Sequence, residues 1–325
     1  ELAKLHESAT ARAEKLLLSV SAKGDEATVL PVPAPVRPLR SILLTLMRRG
    51  LRKMFRDPAL VVVRILGTVI VALIFSGVAA DISLDADGVT DLVRVAYMFL
   101  FFSFLISMLP GILAIAPEMP QICMEYRNNY YSPEAYLTSK LVIETPFVVI
   151  PSLLFTVIVS PISNGADDSD GFDFGTMMLL FALSFAVCFC FTAVGNLVAS
   201  LAPTFEAALF VGPALCEPLL LLSGVLRNMA DITWVLRWVD YVNPLQYSWR
   251  FLAWALLHRK TFTFPGGIEV TGREILVEDL KLSHEGQFDA STQSGAWASF
   301  AMIFVIAVAL YAAAFASYRH RLGTH

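Results

Sequence analysis

The chain has 325 residues, 56% hydrophobic and 16% charged, with a formal net charge of -4 at pH 7. Soluble domains run at about 45–50% apolar and about 25% charged, so this composition excludes a soluble globular protein and points to surface that meets lipid. The sequence contains no Gly-x-x-x-x-Gly-Lys-Ser/Thr loop to cradle phosphates, which excludes nucleotide hydrolysis by this chain alone.

Residues 1–40 have scattered helical character followed by Pro31, Pro33, Pro35 and Pro38. They read as an extended cytosolic linker trailing from a segment upstream of Glu1. Residues 41–58 set Leu43, Leu46, Met47 and Met54 against Arg48, Arg49, Arg52 and Lys53. That pattern predicts a basic amphipathic helix suited to a headgroup surface, with Pro58 placed where a new helix can begin.

A bilayer core of about 30 Å needs roughly 20 helical residues. Six windows reach that length with few charges: 59–80, 92–115, 136–160, 174–201, 205–226 and 296–317. The fold class expected is therefore an all-α membrane protein with six transmembrane helices, occupying 59–325. Arg48, Arg49, Arg52, Lys53 and Arg56 precede the first window, while Asp81, Asp85, Asp87 and Asp91 follow it. The positive-inside rule then puts the N-terminus in the cytosol, and an even number of crossings returns the C-terminus there beside Arg319 and Arg321.

Between the second and third windows lies MEYRNNYYSPEAYLTSK, Met124 to Lys140, a polar and aromatic connection in an otherwise apolar region. At its end Lys140 and Glu144 have the i,i+4 spacing of a helical ion pair. Residues 228–257 hold Trp234, Trp238, Trp249 and Trp254, and indoles concentrate at membrane interfaces. Asn243-Pro244 should divide this stretch into two short helices, a re-entrant pair before the last span. Residues 258–295 then form a polar extracellular loop.

Glu217 lies inside the fifth window between Pro213 and Pro218. A carboxylate at bilayer depth costs about 2.5–3.5 kcal/mol on insertion scales, so it should face a cavity or a partner helix, or be protonated. On the second window Phe101, Phe104 and Met108 offer an aromatic and polarisable surface, although such residues are more often packing. Cys123, Cys188, Cys190 and Cys216 all lie in or beside apolar windows, which suggests no extracellular disulfide. The five histidines are scattered, and no metal site or catalytic group is expected.

Five short motifs in order, Arg56-Asp57-Pro58, Glu125 to Lys140, Ser223-Gly224 with Trp234 and Trp238, Asn243-Pro244-x-x-Tyr247 and Gly272-Arg273-Glu274-Ile275-Leu276, resemble the membrane half of G-subfamily ATP-binding-cassette exporters, the white and pleiotropic-drug-resistance type. The resemblance runs from about Ser41 to Tyr318 and implies an ABC-2 type exporter membrane domain. It makes residues 41–58 a connecting helix and Met124 to Lys140 a coupling segment, with Glu125, Arg127, Arg56 and Asp57 contacting a nucleotide-binding domain. It also implies a substrate cavity lined by Phe101, Phe104, Met108, Pro213 and Glu217, closed above by an apolar gate at Val225 and Leu226.

The implied activity is ATP-driven export of lipids, sterols or amphipathic xenobiotics by alternating access, in a dimer of two such halves at the plasma membrane. ATP and magnesium would bind the nucleotide-binding domain, which would precede this chain or join it in trans. The sequence departs from the family in lacking the outer-loop cysteines that staple many members. Two other functions fit the composition: an ion-coupled carrier or channel using Glu217, and a membrane scaffold that does not transport. No nucleic-acid partner is implied.

Overall fold

The computed structural model describes residues 39–56, 59–78, 86–128, 130–164, 174–225, 236, 238–258, 261–264, 268–278, 280, 289 and 291–323. The linker 1–38, Asp57, Pro58 and Leu226 lie outside the described residues, as do residues 79–85 and 165–173.

Helix α1 (Leu39–Arg56) is the basic amphipathic segment. Leu43, Leu46, Met47, Gly50 and Met54 form its half-buried stripe, at the three- and four-residue spacing of one helix face. That stripe packs along α5. Helix α2 (Ala59–Val78) is aliphatic almost throughout. Thr68, Ala72 and Phe75 face inward, while Val62, Leu66, Ile70 and Leu73 are exposed, the pattern of a helix with one face on protein and the other on lipid.

Helix α3 (Ala86–Ile115) runs through Pro110 into a 3-10 turn (Ala116–Glu118) and then α4 (Met119–Arg127). After a turn, α5 (Pro133–Asn164) and α6 (Phe174–Leu201) follow. Helix α6 is the axis of the bundle, contacting α3, α5, α9 and α11 and the following α7 (Phe205–Leu221). Phe174–Leu201 carries no charged residue, so every face of α6 can be covered. Its crossing with α3 is close because glycines meet: a Cβ on Gly195 would lie 2.5 Å from the Met108 carbonyl oxygen, and one on Gly111 would lie 3.1 Å from that of Thr192. Small residues at a crossing allow membrane helices to pack backbone to backbone.

The Thr204 side chain caps α7 by accepting from the Ala207 amide. The chain leaves α7 through Gly224, whose φ of 84° lies in the left-handed region that a Cβ disfavours. Helices α8 (Val239–Val242) and α9 (Pro244–Leu257) break at Asn243-Pro244, as the sequence indicates. Every residue of α9 is buried. Trp249 and Trp254 are thus packed inside the bundle instead of displayed on a lipid face, since α6, α10 and α11 surround α9; Trp238 remains exposed. Trp234 lies outside the described residues.

The segment 258–295 departs from the all-helical expectation. It holds an antiparallel hairpin, β1 (Thr261–Phe264) with β2 (Ile268–Thr271), in the register Thr261 to Thr271 and Phe264 to Ile268. Threonine and aromatic alternation favours strand here, and Glu274 receives the Thr271 amide at the start of α10 (Gly272–Glu278). Helix α11 (Gln293–Gly323) closes the bundle against α6. Its Arg321 donates to the carbonyls of Ser200 at 3.0 Å and Ala202 at 2.8 Å, satisfying acceptors that the end of α6 leaves open.

Among the described residues, four helical runs are long and apolar enough to cross a membrane: Gly88–Arg127, Glu134–Val159, Phe174–Leu201 and Gln293–Leu322. The apolar part of α2, Arg64–Gly77, is shorter, and α7 has 17 residues.

Candidate functional site

The run Gly88–Arg127 has 40 residues. Its first helix α3 alone has 30 residues, about 45 Å at 1.5 Å each and more than a hydrocarbon core needs, so α4 follows after the length required to cross. There α4 carries Gln121 and Glu125, and Glu118 lies just ahead of it. Glu118 and Glu125 are seven residues apart, two helical turns, and therefore share a face.

The facing helix α1 presents Arg49 and Lys53, four apart on one face. The two sets meet in antiparallel order. Arg49 Nη1 and Nη2 donate to Glu125 Oε2 and Oε1 at 2.9 and 2.7 Å, a bidentate fork, and Lys53 Nζ donates to Glu118 Oε1. The remaining oxygen positions are taken from α5 and the turn before it. Tyr131 Oη donates to Glu125 at 2.7 Å, and Tyr136 Oη and Lys140 Nζ donate to Glu118 at 2.6 and 3.1 Å. Gln121 Nε2 completes the set on Glu125 at 2.9 Å. The Tyr131 and Tyr136 rings stack at 5.8 Å between centroids, which fixes both hydroxyls.

The hydrogen bonds from Arg49 hold the Glu125 carboxyl well below the usual carboxylate range, at about 2, against the opposing effect of burial; Tyr131 and Gln121 add to the same shift. Tyr131 is pushed up, by burial first and then by the carboxylate it serves. Both clasp carboxylates are held below the ordinary carboxylate range, and together they join three helices.

A step further along, Arg64 of α2 donates to Glu144 of α5 at 3.3 Å, with only 8% and 10% of the two side chains exposed. Lys140 and Glu144 do not pair as their spacing predicts: Lys140 turns to Glu118 and Glu144 to Arg64. Tertiary neighbours offer each a closer partner than the i,i+4 geometry does. Between α1, α2 and α5 the two sets of charges enclose a cavity of about 480 Å³.

The remaining sequence-derived residues are dispersed. Arg56 and Arg127 are exposed at the ends of α1 and α4, and Asp57 lies outside the described residues. Phe104 and Met108 are buried within the chain, Phe104 edge-on to Phe191 with centroids 5.1 Å apart. Phe101 and Pro213 are half-buried. Glu217 is exposed on α7, on a stripe with Phe210, Ala214 and Leu221 that stays exposed among the described residues. Val225 is buried, and its neighbour in the expected gate, Leu226, lies outside the described residues.

Asn243 proves more than a helix breaker. Its Nδ2 donates to the carbonyls of Leu219 and Leu222 at 2.7 and 3.0 Å while its Oδ1 accepts from the Leu245 amide, joining the end of α7 to the start of α9. The sequence reading did not single out Glu118 or Arg64, and it placed Arg49 and Lys53 on the amphipathic helix, Tyr131 in the polar connection and Asn243 at a helix break without their partners. The signal available for the pairing was the complementary spacing of opposite charges on two segments, 49 with 53 and 118 with 125.

Residues 42–257 match the ABC-2 type transporter family, and the chain belongs to it. It is 25% identical to the white protein of Ceratitis capitata over 72% of this chain and 35% of that protein, and 25% identical to the white protein of Drosophila melanogaster over 69% and 31%. A brefeldin A resistance protein of Schizosaccharomyces pombe is 26% identical over 47% of this chain and 10% of its own length. The chain thus spans about a third of the white proteins it matches.

Proposed function

We propose that this chain is the lipid-embedded half of an ATP-driven exporter, with the clasp end in the cytosol. In this reading α2, α3, α5, α6, α7 and α11 are the six spans, both termini are cytosolic, and α8 with α9 is the re-entrant pair below an outer loop. A nucleotide-binding domain carrying ATP and magnesium grips α4 through Glu125, Arg127, Arg56 and Asp57, and its closure is passed to the spans through α1. A second half completes the machine in the plasma membrane. The uncovered stripe of α7 supports that pairing, since Phe210 is 80% exposed while Ala208, Gly212 and Cys216 face inward.

Cargo would pass between the two halves, along Phe101 and the Pro213 to Glu217 stretch, with Phe104 and Met108 packed behind and Val225 with Leu226 above. Sterols, phospholipids and amphipathic xenobiotics suit such walls, and Glu217 adds an acceptor for a hydroxyl or a cation. The observation that carries the reading is the Arg49–Glu125 fork, which ties the polar end of a spanning run to the amphipathic helix α1. In proteoliposomes of the full-length transporter, movement of a fluorescent phospholipid should require ATP and ignore an imposed proton gradient. Movement that follows the gradient without nucleotide would refute export by this route and favour the ion-coupled carrier.

A further inference from the structure

We infer that the cavity between α1, α2 and α5 binds the phosphate headgroup of an anionic glycerophospholipid. The inference requires a membrane-embedded bundle and does not depend on the transport cycle.

Its charge is unbalanced. Six cations and three carboxylates line it. Each carboxylate is already engaged: Glu125 by Arg49, Glu118 by Lys53 and Lys140, Glu144 by Arg64. Arg52 and Arg56 stand at its mouth, exposed and without a carboxylate among the described residues. Deeper in, Arg64 spends Nη1 on Glu144, but its Nε is a buried donor with no partner among the described residues. A buried guanidinium donor left open calls for an acceptor, and a phosphate oxygen is the acceptor whose geometry it matches.

The site also has an apolar side, which a soluble anion would not need. Leu113, Ile143 and Phe147 form its floor. Val61 of α2 extends that apolar side, so the first carbons of the acyl chains would meet Val61, Leu113, Ile143 and Phe147. Arg64 is five residues into α2, about 8 Å along the helix, which puts its donor near the boundary between headgroup and hydrocarbon. A single amphipath with its phosphate at Arg52, Arg56 and Arg64 and the start of its tails against this apolar lining satisfies both sides.

The test uses the full-length protein, delipidated in detergent, with lipid retention read by native mass spectrometry. Dioleoylphosphatidylserine should be retained in preference to dioleoylphosphatidylcholine. R52Q/R56Q should lower that retention by about fivefold for each arginine removed. R40Q/R48Q takes the same charge from exposed positions of α1 that do not line the cavity, and should leave retention unchanged. Equal retention of the two lipids, or equal losses in the two double variants, would overturn the site in favour of diffuse attraction. Displacement of the lipid by glycerol 3-phosphate at comparable concentration would overturn the lipid assignment and leave a soluble-phosphate site.

Discussion

Glu125→Ala separates a transmission role from a stabilising one. The variant removes a fork at 2.7 and 2.9 Å together with acceptors for Tyr131 and Gln121. Arg49 is 52% exposed and stays hydrated after its partner is lost, so the ion pair itself is worth about 0.2–1 kcal/mol. Two hydrogen bonds from neutral donors add about 0.5–1.5 kcal/mol each, for a total near 2 kcal/mol confined to one end of the bundle. That should shift the thermal midpoint of the full-length transporter only slightly. The number of cargo molecules moved per ATP hydrolysed in proteoliposomes should fall several-fold, while cargo binding persists. The exchanged pair Arg49→Glu with Glu125→Arg should restore much of the ratio. Because the Glu125 carboxyl is held at about 2, its contribution is complete above the ordinary carboxylate range and is lost only as pH falls from there toward about 2, so coupling should not vary through this pair between pH 5 and 8. A normal cargo-to-ATP ratio in Glu125→Ala, or a loss of ratio that merely tracks lost folding, would refute the reasoning.

Gly195→Ala should destabilise by about 1–3 kcal/mol, because its new methyl meets backbone atoms of Met108, Ile112 and Gly111 that cannot rotate away; Gly67→Ala, inside α2 with nothing within 4 Å, should stabilise by about 0.4–1 kcal/mol, and detergent melting curves compare them. Glu144→Ala leaves Arg64 buried and unpaired and should cost about 3–5 kcal/mol, whereas Arg64→Met with Glu144→Met should recover most of the loss in the same melts. Asn243→Ala breaks three hydrogen bonds at a fully buried position and should cost about 1–3 kcal/mol, with faster proteolysis between α7 and α9 as the local readout.

The spans were legible in the sequence wherever one kind of residue dominates a window. Phe174–Leu201 has no charge to interrupt it, and α6 fills that window to the residue. The break between α8 and α9 was legible for an equally local reason, since Pro244 supplies no amide and constrains its predecessor. What depends on contacts between distant segments was not. Lys140 and Glu144 carry a regular local pairing signal that two partners from other helices override, one 22 residues away and the other 80. The tryptophans show the same limit: composition ties indoles to an interface, yet Trp249 and Trp254 are buried because α9 is enclosed on all sides, and only the tertiary arrangement states that. Arg64 escaped notice because a span-length average absorbs one charge, although a single intramembrane cation needs a partner.

These differences in burial bear on how force could travel through the proposed machine. The joints near the apolar core are stiff: glycine backbones meet at the α3–α6 crossing, and a buried ion pair holds α2 to α5, where loss of either partner is expensive. The joints at the clasp are individually weak, being half-exposed pairs whose energies lie near thermal scale, and they are directional because Arg49 and Lys53 engage Glu125 and Glu118 in a set order. A weak, ordered contact can re-form as helices slide, whereas a buried one resists. A push on α4 would therefore turn α1 first and reach the spans as a movement of the α2–α5 block, the element to which α1 is packed, before it disturbs the α3–α6 crossing. On this account the basic stripe of α1 has two duties that the same residues can meet, gripping α4 on one side and the lipid headgroup layer on the other.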